Sequence, residues 1–135
     1  MLSGDSIKIS FTDLNYSVTV KTSKEQQQNG EPAQKELHVL KNVTGYCLPA
    51  QLTFIMGASG AGKTSLLNLL SDRVQVKPGI TVKGKVTFND NHDLNAELFS
   101  NYAAYVMQDD VIFSYFTVKE ALTFAARLKL NCSEQ

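Results

Sequence analysis

The run Gly57-Ala58-Ser59-Gly60-Ala61-Gly62-Lys63-Thr64 constrains this chain more than any other stretch. Gly57, Gly62, Lys63 and Thr64 satisfy the pattern GxxxxGK[ST] in full. The flanks suit it. Leu52-Thr53-Phe54-Ile55-Met56 is a short, nearly continuous apolar run, which predicts a strand covered on both faces, as in a parallel sheet. Behind the run, Leu66, Leu67, Leu69 and Leu70 predict a helix that fades near Arg73, ahead of Pro78-Gly79.

Each residue type in the run has a physical task. A phosphate chain is wrapped by backbone N–H groups, and side chains would block that approach. Gly57, Gly60 and Gly62 leave room and permit positive φ. Ala58, Ser59 and Ala61 are counted with these glycines as members of the binding loop. A helix that starts near Gly62 aims its free N–H groups and positive dipole end at the phosphates. Lys63 supplies a full charge to the β- and γ-phosphates. Thr64 offers a hydroxyl to Mg²⁺, a hard cation that prefers oxygen, and Ser65 can donate to the α-phosphate. The expected ligand is a nucleoside triphosphate with Mg²⁺.

The bulk numbers bound the rest. A length of 135 residues fits one domain at most. With 43% hydrophobic and 19% charged residues the composition is that of a globular protein. Thirteen basic and thirteen acidic residues balance, so no nucleic-acid partner is expected. Cys47 and Cys132 lack metal or disulfide spacing and read as two reduced thiols. Met1 to Ser10 has no signal-peptide form, and no apolar run is long enough to span a bilayer.

Periodicity places the remaining elements. Ile7, Ile9 and Phe11, and then Tyr16, Val18 and Val20, alternate with polar residues as two half-buried strands. Residues 22–36 carry Gln26-Gln27-Gln28-Asn29-Gly30 and Pro32 and predict an exposed, mobile loop. Strand character returns over Leu37–Tyr46 and Thr81–Phe88. Asn89–Asp93 is turn-like, Asn95–Asn101 fits a short helix, and Tyr102–Met107 predicts another strand. Thr117-Val118-Lys119-Glu120 has the capping-box form, and Val118, Ala121, Leu122, Ala125 and Leu128 continue as an amphipathic helix.

In this order the chain resembles the nucleotide-binding domain of ABC transporters, and most closely the G subfamily, the half-transporter and pleiotropic-drug-resistance type. Three stretches carry the resemblance, and a fourth is similar. Phe54-Ile55-Met56 running through the loop to Ser65-Leu66-Leu67-Asn68 looks like that family's Walker A. Tyr105-Val106-Met107-Gln108-Asp109-Asp110 looks like its Q-loop. Thr117-Val118-Lys119-Glu120-Ala121-Leu122 to Leu130 looks like the helix that follows, and Leu14-Asn15-Tyr16-Ser17-Val18 is similar to its first strand. Ala58 stands where Pro is commoner. The resemblance implies that Tyr16 stacks on adenine, a flat ring on a flat base. It implies that Gln108 approaches Mg²⁺ and the attacking water and reports nucleotide state to a transmembrane domain. It also implies a second nucleotide-binding domain as partner and a place on the cytoplasmic face of a membrane through a parent transporter.

The family's working site further needs a signature loop, a Walker B Asp, a catalytic Glu and a switch His. No Ser-Gly-Gly occurs, and His38 and His92 precede Gln108, on the wrong side for the switch. The expected fold is therefore an α/β, partial P-loop NTPase core, with the helical signature subdomain and Walker B region absent. Residues 1–21 and 37–50 form an antiparallel β-subdomain around the exposed loop 22–36, and 51–135 carry the P-loop strand, helix, Q-loop and following helix. Such a chain binds ATP but does not hydrolyse it alone. Two other readings stay open: a small self-contained P-loop kinase with Asp109 or Asp110 as Walker B carboxylate, and a non-catalytic chain that pairs with a full-length cassette. An apolar sheet without its neighbour predicts marginal stability or association.

Overall fold

A computed structural model describes residues 6–30, 32–109 and 112–130. Two of the residues singled out above, Asp110 and Cys132, lie outside them. The chain divides into two compact units, Met1–Ala104 and Tyr105–Gln135.

The first unit is built on an antiparallel sheet. Its strands are β1 (Ile9–Lys21), β2 (Gln34–Cys47), β3 (Ile80–Phe88) and β4 (His92–Asp93), in the spatial order β2-β1-β3-β4. The two expected strands at the front are one. Between them the polar residues Thr12 and Asp13 are absorbed by a break in pairing rather than by a loop. Asp13 takes φ = 51°, and the register to both neighbours shifts there. Gly84 of β3 makes the break possible, because a Cβ at that position would lie 2.5 Å from the Asp13 carbonyl oxygen.

The connection 22–33 is also more structured than its composition suggests. It holds the short helix α1 (Lys24–Gln28), and β2 begins at Gln34. Thr22, buried at the mouth of the hairpin, closes it: its hydroxyl donates to the Pro32 carbonyl at 2.6 Å, and its N–H donates to Ala33. Most of its other side chains are exposed, as expected.

Helix α2 (Lys63–Leu70) lays Leu66, Leu69 and Leu70 against Phe11, Leu14 and Leu40, and this cluster is the core of the unit. The helix stops before Arg73 because the Ser71 hydroxyl turns back onto the Leu67 and Asn68 carbonyls and Asp72 is left-handed at φ = 51°. Between β3 and β4, Asn89 and Asp90 both take positive φ, and the Asn91 N–H donates to the Phe88 carbonyl at 3.3 Å, so the chain reverses before Phe88 pairs with His92. Helix α3 (Ala96–Tyr102) is capped by Asn95, whose side chain accepts from the Leu98 N–H at 2.7 Å.

Two expected strands are not formed. Residues 51–58 have no regular structure, and Leu52, Phe54 and Met56 are 80%, 71% and 87% exposed. Only Ile55 packs against the core. A strand needs neighbours to satisfy its backbone, and none of the four strands of the described sheet pairs with this segment. The sheet is thus antiparallel throughout, not parallel at the P-loop. Tyr102–Met107 likewise forms no strand: Tyr102 ends α3 and Val106 is exposed.

The second unit is carried by α4 (Val118–Lys129). The capping box is present in full. The Thr117 hydroxyl accepts from the Glu120 N–H at 3.3 Å, and the Glu120 carboxylate accepts from the Thr117 N–H at 2.8 Å. Phe113, Phe116 and Phe124 form a small ring cluster, with centroids 5.1 and 6.1 Å apart. No residue of α4 is buried, so the amphipathic pattern is present without a covering layer among the described residues.

Candidate phosphate-binding loop

The loop is assembled from backbone torsions that only glycine adopts at low cost. A turn at Ser59–Gly60 reverses the chain, with Gly60 at φ = 77°. Nothing lies within 4 Å of the Cβ that Gly60 lacks, so the loop is open on that side. The Ala61 N–H donates to the Ala58 carbonyl at 3.2 Å and closes the turn. Gly57 faces inward: a Cβ there would sit 3.4 Å from Ala61 Cβ.

Gly62 is the N-cap of α2, left-handed at φ = 89°. It has no side chain to offer the helix, and no side-chain cap is made, whereas α3 and α4 each have one. The first intrahelical bond runs from the Leu66 N–H to the Gly62 carbonyl at 2.9 Å. The N–H groups of Lys63, Thr64 and Ser65 precede it and have no carbonyl of their own helix to bond. They stand at the positive end of the helix dipole, which favours an anion.

Lys63 folds back over this loop. Its ammonium donates to the carbonyl oxygens of Gly57 at 2.8 Å and Ala58 at 2.7 Å. An ammonium has three donors, so two fix its position and one is left for a ligand. Thr64 is exposed at the second position of α2, and Ser65 is half-buried beside it. A glycine turn open on one side, an uncapped helix start and a held ammonium together fit a polyphosphate. The Thr64 hydroxyl, exposed beside the loop, is an oxygen of the kind a Mg²⁺ takes.

The other expected site residues are placed as follows. Tyr16 is half-buried on β1, paired with Leu40 and Val82, and packs against the core cluster. It also borders a shallow hollow of about 320 Å³ with Asn68, Arg73, Val74, Gln75, Lys77 and Ile80, toward the far end of α2 from the loop. Gln108 and Asp109 are exposed in the second unit. The shifted carboxylates lie outside the loop. Hydrogen bonds from Lys8 and Ser10 hold Asp90 below its ordinary value, and Thr117 does the same for Glu120.

One contact of the loop was not legible in the motif. Val39 and Leu40 of β2 back it directly: a Cβ on Gly62 would lie 2.9 Å from Leu40 Cδ2 and 3.1 Å from the Val39 carbonyl oxygen. Spacing gives no sign of this. The only hint is the apolar Val39-Leu40 pair, which breaks strict alternation in β2.

Similarity to known proteins agrees with this geometry. The profile of the ABC transporter family matches residues 40–134. The ABC transporter G family member STR2 of Medicago truncatula is 37% identical over 123 residues, which cover 91% of this chain and 16% of the relative. The ABC transporter G family member 22 of Dictyostelium discoideum is 38% identical over 125 residues, covering 93% and 18%. The ABC transporter G family member 6 of Arabidopsis thaliana is 36% identical over 132 residues, covering 90% and 18%. The chain thus spans less than a fifth of the length of these relatives. Among the described residues no helix is long and apolar enough to cross a membrane. With its Gly57–Ser65 loop, its family profile and its G family relatives, the chain belongs to the ABC transporter family, as part of a G-type nucleotide-binding domain of the P-loop NTPase fold.

Proposed function

We propose that this chain binds ATP through Gly57–Ser65 as part of a G-type ABC transporter that couples ATP hydrolysis to export of a substrate across a membrane. The observation that carries the reading is the Lys63 ammonium held on the Gly57 and Ala58 carbonyls at the uncapped start of α2. In this reading the amides of Gly60–Ser65 wrap the phosphates, Lys63 neutralises the β- and γ-phosphates, and Thr64 binds Mg²⁺. Tyr16 stacks on the base, and Gln108 approaches Mg²⁺ and the attacking water. Family membership supports these roles, together with a second nucleotide-binding domain and transmembrane domains as partners and a place on the cytoplasmic face of the membrane.

The fold in this reading is a partial P-loop core, in which residues 1–21 and 37–50 are the β-subdomain and the helical signature subdomain and Walker B region are not among the 135 residues. These residues alone then bind ATP without turning it over. Gln108 replaces neither a carboxylate that fixes Mg²⁺ nor a Glu that orients water, and phosphoryl transfer depends on that positioning. A second reading, association with a full-length cassette, draws support from the exposed Leu52, Phe54 and Met56. Saturable binding of Mg²⁺-ATP to the purified chain, with no release of inorganic phosphate, is the expected result. No binding contradicts the reading. Turnover that disappears in Lys63→Ala contradicts its non-catalytic part.

A further inference from the structure

Tyr16 pairs with Leu40, yet its neighbour Ser17 pairs with His38. Val39 is therefore an extra residue on β2, without a partner on β1. Such a bulge re-aims side chains. Here it sends His38 to the face of Ser17 and keeps Leu40 on the face of Tyr16, toward α2. Without it, His38 and Leu40 would share one face, since side chains alternate along a strand.

The bulge meets the loop at its most sensitive residue. Gly62 sets where the helix-start amides of Lys63, Thr64 and Ser65 point, and a Cβ on it would crowd Leu40 Cδ2 at 2.9 Å, the Val39 carbonyl oxygen at 3.1 Å and Val39 Cγ1 at 3.3 Å. Leu40 is buried, at 6% exposure, and also packs with Leu66 in the core. Leu40 is also the strand partner of Tyr16.

We propose that Leu40, presented by the Val39 bulge, is a positioning residue for the phosphate loop: it is the stop against which Gly62 rests, and it sets the aim of the helix-start amides. This rests on the reading of Gly57–Ser65 as a polyphosphate site. Shortening Leu40 leaves space into which the N-cap can sink. The amides then lose their aim while the loop residues themselves stay unchanged.

The test is titration of the whole chain with Mg²⁺-ATP and with pyrophosphate, in the unsubstituted form, Leu40→Ala, Leu40→Met and Leu14→Ala. Leu14 is buried in the same cluster but does not supply the atoms nearest Gly62. Leu40→Ala is expected to bind both ligands about tenfold more weakly, as misplaced binding groups do. Leu40→Met, which conserves volume, is expected to restore binding. Leu14→Ala is expected to lower stability but to leave affinity within about twofold, since its contacts are elsewhere. If Leu40→Ala fails to fold, Leu40→Val carries the same test with a smaller truncation. Equal weakening in Leu14→Ala would make the loss a matter of general stability and overturn the proposal. Loss for ATP but not for pyrophosphate would route the effect through Tyr16 and also overturn it. Unchanged binding in the Leu40 variants overturns the role of Leu40 alone, whereas absence of binding by the unsubstituted chain overturns the phosphate-site reading beneath it.

Discussion

The ammonium of Lys63 lies 2.8 Å from the carbonyl oxygen of Gly57, six residues earlier, so the first and last parts of the loop are joined by the side chain that would meet the phosphates. The charge is placed before any ligand arrives, and little side-chain freedom is left to lose on binding.

Replacing that ammonium is the first prediction. Lys63→Ala removes a charge-assisted hydrogen bond worth about 2 kcal/mol, so Mg²⁺-ATP is expected to bind roughly thirtyfold more weakly. Lys63→Arg is not expected to rescue, because a planar guanidinium does not fit the two converging carbonyls of Gly57 and Ala58. Fluorescence titration with a labelled ATP analogue measures both. Full affinity in Lys63→Ala would contradict the placement.

The glycines of the loop are predicted to differ in what they tolerate. Gly60→Ala meets only torsional strain, about 1 kcal/mol, because space is open around it. Gly62→Ala adds crowding against Leu40 Cδ2 and the Val39 carbonyl, which must shift to admit it, so it is expected to lower unfolding free energy by a further ~1 kcal/mol, on the order of the overpacking cost. Denaturant unfolding of the two variants gives the comparison, and equal costs would contradict the tight seat at Gly62.

The exposed apolar segment yields a third prediction. Phe54 is 71% exposed, so Phe54→Lys is expected to change unfolding free energy by no more than about 0.5 kcal/mol. The same change is expected to raise the concentration at which the chain stays monomeric in sedimentation, by breaking an uncharged β-forming run. A large loss of stability would mean that Phe54 is buried after all, in the strand that its sequence suggests.

Acid is predicted to loosen the start of α4. The Thr117 N–H and hydroxyl hold the Glu120 carboxyl below its ordinary value of 4.5. A group with a depressed folded value stabilises above its ordinary value and loses that contribution as pH falls through the folded value. The amide resonances of Thr117 and Glu120 are therefore expected to report fraying below pH 4.5, and Glu120→Gln, which keeps the capping geometry without the charge, is expected to remove the dependence. Titration of those resonances without any such transition would contradict it.

Local signals in the sequence were legible where local physics decides the structure. The capping box at Thr117–Glu120, the helix after Lys63, the turn at Asn89-Asp90 and the strand over Thr81–Phe88 all follow from nearest neighbours. The break at Asp13 looks in the sequence like a gap between strands, because a bulge needs a partner, Gly84, from far along the chain. Leu52–Met56 has strand composition, but a strand is a property of pairs, and this segment has no pair among the described residues. The loop residues themselves were visible from the GxxxxGKT pattern. The seat formed by Val39 and Leu40 was not, because register fixes it rather than residue type.

Amide hydrogen exchange across Gly60–Ser65, with and without saturating Mg²⁺-ATP, is the most direct measurement. Slower exchange of these amides with nucleotide, and no such slowing in Lys63→Ala, is the predicted result. Identical exchange with and without nucleotide, in a folded chain, would contradict a phosphate-binding role for the loop.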